Sequence, residues 1–153
     1  MDRKNRPVQS TRLAVVPFTL ALMACAVPWL LAHAPQIGLA LQRAFALVCH
    51  QQAERSFVLF GGSVAVCSRC LGIFVGAAAG WFVRVQAQLA RRLFALAMAV
   101  SLADWLAEAS GLHGNWLLTR FLLGCAVGAA GAMLITSATG PLLEVSRPSN
   151  SLA

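Results

Sequence analysis

Four soft side chains stand out in a chain that is otherwise strongly apolar: Cys49, His50, Cys67 and Cys70. Cys67-Ser68-Arg69-Cys70 sets two thiols one helical turn apart, able to bind one metal ion together or to close a disulfide. Sixteen residues separate that pair from Cys49-His50 upstream. Thiolates with imidazole suit zinc, and thiolates alone also suit copper(I) or iron. Neighbouring side chains diverge, so Cys67, Cys70, one of Cys49 or His50, and a fourth group from elsewhere make the easier ligand set. A fourth position open to water would give such a site a catalytic form. Two rival readings stand beside this one. On the exterior of a bacterial membrane thiols tend to pair, so Cys67 and Cys70 can form an exchange motif with Cys49 as a third thiol. They can also form a plain structural staple that stiffens the outer loops of a non-enzymatic membrane scaffold. Nothing else in the sequence marks a thioredoxin-like βαβ unit, and the metal reading, with zinc as the ion, leads.

Ionisable groups accompany the cluster. Asp104 and Arg120 each lie about one turn from the outer end of an apolar run, and intramembrane charges pair with each other or line a cavity. We expect them to meet, or jointly to face the cysteines. Asp104 is then a candidate base. Arg120 and Arg55 are candidates to hold an anionic group, since an arginine fork grips phosphate at two points. Glu54, Arg55 and Ser56 make a polar knot just after His50, and His113 and Asn115 sit in a turn from which they can cap or assist. Cys25 and Cys125 fall deep in apolar runs, where cysteine acts as a small filler.

What must position these groups is set by composition. Of 153 residues, 59% are hydrophobic and only 11% charged, with a mean hydropathy of +0.73. A soluble domain carries roughly 25% charged residues, so this chain cannot cover itself with a water-compatible surface. The sequence predicts an all-α, multipass membrane protein of about four transmembrane helices plus a short interfacial helix. The spans fall at about 13–32, 70–83, 93–107 and 117–140, within one membrane domain of residues 13–143. Residues 1–12 and 144–153 form polar tails. Residues 35–48 are too few to span and carry Gln42 and Arg43, which suits an interfacial helix. Ala32-His33-Ala34 resembles a signal-peptide cleavage site and Leu22-Met23-Ala24-Cys25 a lipoprotein box, but the length of the first run favours an uncleaved span.

The net charge of +7 is spread over the ends of apolar segments, not gathered into a patch with aromatic partners. That distribution argues against nucleic acid and follows the positive-inside rule. With the N-terminus in the cytoplasm, eight basic residues lie inside and Arg43, Arg55, Arg69 and Arg120 lie on or near the other side. The Cys/His segment 49–70 then sits on the extracytoplasmic face of a bacterial inner membrane. The expected partners are the bilayer and a lipid or small anionic substrate. The second and third spans are too short to cross unaided, so we expect the cysteine region to dip below the interface, which is allowed where protein surrounds the backbone. Gly72, Gly76 and Gly80 repeat every four residues, as do Gly124 and Gly128. That spacing predicts close helix contact at these faces.

Three motifs together, Cys49-His50-Gln51, Glu54-Arg55-Ser56-Phe57 and Cys67-x-Arg69-Cys70-x-Gly72-Ile73-Phe74-x-Gly76, resemble the signature of small bacterial and archaeal membrane proteins. These are classed as a domain of unknown function, number twenty eighty-five in its series. Asp104, Gly111, Asn115, Arg120 and Gly124 look like the family's later pattern. The resemblance covers roughly residues 40–130. Leu71 stands where a small hydroxyl residue is usual, and Gln52-Ala53 where a proline often precedes the acid. The resemblance implies a membrane protein and supports the choice of residues. It brings no activity with it.

Overall fold

The computed structural model describes the backbone of residues 6–145 and the side chains of residues 14–138. Within them the chain forms five α-helices: α1 (Arg6–His33), α2 (Pro35–Ala46), α3 (Ser68–Gly80), α4 (Ala87–Ala109) and α5 (Leu117–Val145). A 3-10 turn (Ala53–Arg55) and a two-stranded hairpin, β1 (Val58–Leu59) and β2 (Gly62–Ser63), fill the stretch before α3. Two helices are long and apolar enough to cross a membrane, over Ala14–His33 and Leu117–Ala138. Among the described residues, these two of the four expected spans meet that measure. At 13 residues, α3 reaches only about 20 Å, short of a hydrocarbon core about 30 Å thick. Helix α4 has the length, but Arg91, Arg92, Asp104 and Glu108 make it too polar to count as an apolar span. Helix α1 also takes in Arg6–Arg12, expected to lie in a tail, and α5 runs on to Val145. The rest of the expected C-terminal tail, 146–153, lies outside the described residues.

The seam between α3 and α5 organises the molecule, and it is made of glycine. A methyl group on Gly72, Gly76 or Gly80 would collide with the backbone of Phe121, Cys125 or Ala129. One on Gly124 or Gly128 would strike the carbonyl oxygens of Arg69 and Ile73. The two glycine faces read from the sequence therefore meet each other, so α3 and α5 run parallel with their main chains in contact. Without a hydrophobic force between helices in lipid, this approach gains its stability from packing. The register also fixes height. Arg69 lies level with Gly124, seven residues into α5, so α3 begins about 10 Å below the start of α5.

Helix α1 supplies the other wall. Pro35 opens α2 at a position where its missing N–H costs nothing, and α2 folds back so that Gly38 touches the main chain of Leu30 and Leu31. Pro28 lies inside α1 and has no N–H to give the carbonyl of Ala24. The N–H of Ala65 takes that place, at 3.2 Å. The loop after the hairpin is thus hooked onto α1 nine residues before its end, about 13 Å down the helix. Ala24, Val27, Phe45, Cys49, Val64, Ala65, Val66 and Leu71 close over this junction as the buried core. The hairpin turns through Phe60 and Gly61, both at positive φ (52° and 78°), as a two-residue turn of this kind requires.

Candidate metal centre

Cys49 comes three residues after the last residue of α2, past the turn Leu47-Val48. Its position is fixed by Gln51, which adopts a left-handed backbone (φ 52°) and donates from its side chain to the carbonyl of Gln42, 2.6 Å away. A non-glycine residue there costs about 1–2 kcal/mol, and the side-chain bond offsets that cost. The turn sends the Cys49 side chain inward, where it is 7% exposed. Cys67 is the N-cap of α3 and Cys70 lies in its first turn. The N–H of Cys67 points at the Cys49 sulfur, at 3.2 Å. The outcome is a triad. The sulfurs of Cys49, Cys67 and Cys70 lie within 4.8 Å of one another.

Three sulfurs around one zinc ion at about 2.3 Å would stand about 3.8 Å apart, so this donor set fits such an ion with little movement. The hydrogen bond from the Cys70 side chain, helped by Cys49 and by main-chain N–H groups, lowers the Cys67 thiol to about 5. The same contact and burial push the Cys70 thiol up, so the metal-free triad favours a thiolate at Cys67 and keeps a proton on Cys70. A thiolate is the form a metal needs. All five cysteines are free thiols, with no bond between Cys67 and Cys70. His50 falls outside the triad: its side chain is exposed, although it lines the same cavity of about 410 Å³.

Asp104 and Arg120 are not partners. Arg69 donates to Asp104 at 2.6 Å, and His113 approaches the other carboxylate oxygen at 3.6 Å. Arg120, only 4% exposed, donates to Glu108, which also holds Arg55 at 3.3 Å. Arg55, Arg69 and Arg120 line the cavity together with the three cysteines. The sequence reading missed Glu108 and Arg69 as members of this network. Glu108 lies one helical turn beyond Asp104, and that four-residue spacing was the available signal. Asn115 does assist, donating to the carbonyl of Glu54 and so tying the α4–α5 turn to the 3-10 turn. Ser56 closes that turn onto the carbonyl of Gln52 at 2.9 Å, and Phe57 packs edge-on against Phe121 of α5. Each residue of the Glu54–Phe57 knot therefore has a structural task. Exposed Trp29 and Trp105, toward the ends of α1 and α4, and exposed Trp116, just before α5, lie at the same end of the helices as the triad, where tryptophan marks a membrane interface.

A family model described as a predicted membrane protein, DUF2085, matches residues 49–134. An uncharacterised protein of Methanothermobacter thermautotrophicus is 30% identical over 95 residues, covering 59% of this chain and 86% of that protein. An uncharacterised protein of Methanocaldococcus jannaschii is 43% identical over 47 residues, and the match spans 31% of this chain and 30% of that protein. Both relatives are archaeal, whereas the sequence reading pointed to bacteria. No solved structure matches.

Proposed function

The chain belongs to the DUF2085 family of predicted membrane proteins, and from that premise we propose that it binds a divalent metal ion, zinc, at the rim of the bilayer. The observation that supports this is the triad of sulfurs within 4.8 Å of one another. Cys49, Cys67 and Cys70 are the ligands. The fourth position faces the cavity, to be filled by water, by an incoming substrate, or by His50 swinging inward. Zinc held this way supplies Lewis acidity at that position.

The surrounding residues take supporting roles. Asp104 is tied to Arg69, so its part is to hold that arginine in place; Arg55 and Arg120 face the cavity as anion-gripping groups. The chain crosses the cytoplasmic membrane more than once with its N-terminus inside, and the site opens outward, as the distribution of basic residues favours. Metal content of protein purified in detergent under reducing conditions tests the reading. We expect about one equivalent of zinc in the wild type and less than about a tenth in Cys67→Ser or Cys49→Ser, with helix content by circular dichroism unchanged. Wild-type protein holding less than half an equivalent ends it.

A further inference from the structure

The cavity beside the triad is built to take an acceptor-rich group. Three guanidinium groups line it, those of Arg55, Arg69 and Arg120, and the two carboxylates that pair with them are Asp104 and Glu108. Each of these pairs uses the Nη2 nitrogen. The Nε atoms of Arg69 and Arg120 are buried and have no hydrogen-bond partner among the described residues, and the Arg120 side chain is only 5% exposed. Buried donors of a charged group call for acceptors, and one positive charge is left over.

We propose that this cavity binds a phosphodiester, with its two free oxygens gripped by the arginines at the mouth beside the metal ligands. The class follows from charge and from position. Three arginines against two carboxylates leave one positive charge for a singly charged ligand to balance. Three thiolates with a divalent ion add one negative charge beside it that disfavours a ligand carrying two; this step rests on the metal reading. The ligand that brings the most acceptors for the least added charge is then a singly charged diester, ahead of a doubly charged phosphate monoester or free phosphate. The site also lies at the end of the molecule marked by Trp29, Trp105 and Trp116, the level at which lipid phosphodiesters reside. Arginine forks suit them.

The test uses full-length protein in a phosphate-free maltoside detergent with three probes: short-chain phosphatidylglycerol, diethyl phosphate and inorganic phosphate. Binding is read by thermal shift and native mass spectrometry, and metal content is measured on the same samples. Arg55, with 38% of its side chain exposed, is the safe residue to change. Arg55→Gln should keep its metal and its fold while losing about tenfold in diester affinity, the worth of one charge-assisted hydrogen bond. Tight phosphatidylglycerol with weak diethyl phosphate assigns a lipid ligand, and comparable binding of both assigns a soluble diester. Inorganic phosphate binding tighter than either diester overturns the proposal, as does equal diester affinity in wild type and Arg55→Gln. Metal-loaded protein that binds no diester sinks this inference and spares the metal site. Metal-free protein that binds diesters through Arg55 does the reverse.

Discussion

The glycine seam and the polar end above it hold the same helices by opposite means. Along the seam, α3 and α5 touch through bare main chain, and no side chain intervenes at Gly72, Gly76, Gly80, Gly124 or Gly128. At the polar end the helices are joined to α4 by long charged side chains, Arg69 to Asp104 and Arg120 to Glu108. The seam tolerates no added atom, and the polar end tolerates no lost partner. The first fixes how high Arg69 and Cys70 stand against α5, and the second fixes which way the cavity faces. Precise placement in this molecule comes from the smallest residues, and chemical capacity from the longest.

Substitutions can break each side of that contrast. The largest effect is expected in the seam. Gly76→Leu must push α3 off the carbonyl of Cys125, and about 3 kcal/mol or more of stability should go, measured by thermal unfolding in detergent. Gly131→Ala is the control, because its new methyl would sit an ordinary 3.6 Å from the Phe94 ring; a drop in melting temperature equal to that of Gly76→Leu would remove the distinction. At the polar end, Asp104→Asn strands the Arg69 guanidinium and should cost about 2 kcal/mol. The double variant with Arg69→Met should recover part of it, and no recovery would mean the pair acts separately. A smaller change is expected from Pro28→Ala. It returns an N–H that competes for the Ala24 carbonyl, so the Ala65 amide should exchange deuterium faster while stability moves by about 1 kcal/mol at most. The smallest belongs to His50→Ala, which should keep its zinc and shift stability by no more than about 0.5 kcal/mol. Loss of the metal there would promote His50 to an obligatory ligand.

The sequence announced the seam because a four-residue glycine spacing is a local signal, and both halves carried it. It announced the thiols for the same reason: soft ligands are rare in an apolar chain, and three of the four gathered. The pairing of charges was not legible. Asp104, Glu108, Arg69 and Arg120 come from three helices, and which acid meets which base depends on a register that no single segment contains. The shortness of the second span was legible too, but not the contact that sets the depth of α3. Its first residue is set by the loop hooked onto Ala24, well below the ends of its neighbours. Gln51 gave no warning either, since a left-handed glutamine shows itself only in the backbone.

The proline in α1 also bears on how the molecule comes together. A carbonyl stripped of its usual donor is expensive in hydrocarbon, by several kcal/mol, and Ala24 carries one until Ala65 arrives. Insertion of the first helix is therefore incomplete on its own, and docking of the cysteine-bearing loop relieves it. The step that quiets that open acceptor is the same step that delivers Cys67 and Cys70 to Cys49, so a chain that has finished assembling has, by that fact, also finished its sulfur cluster.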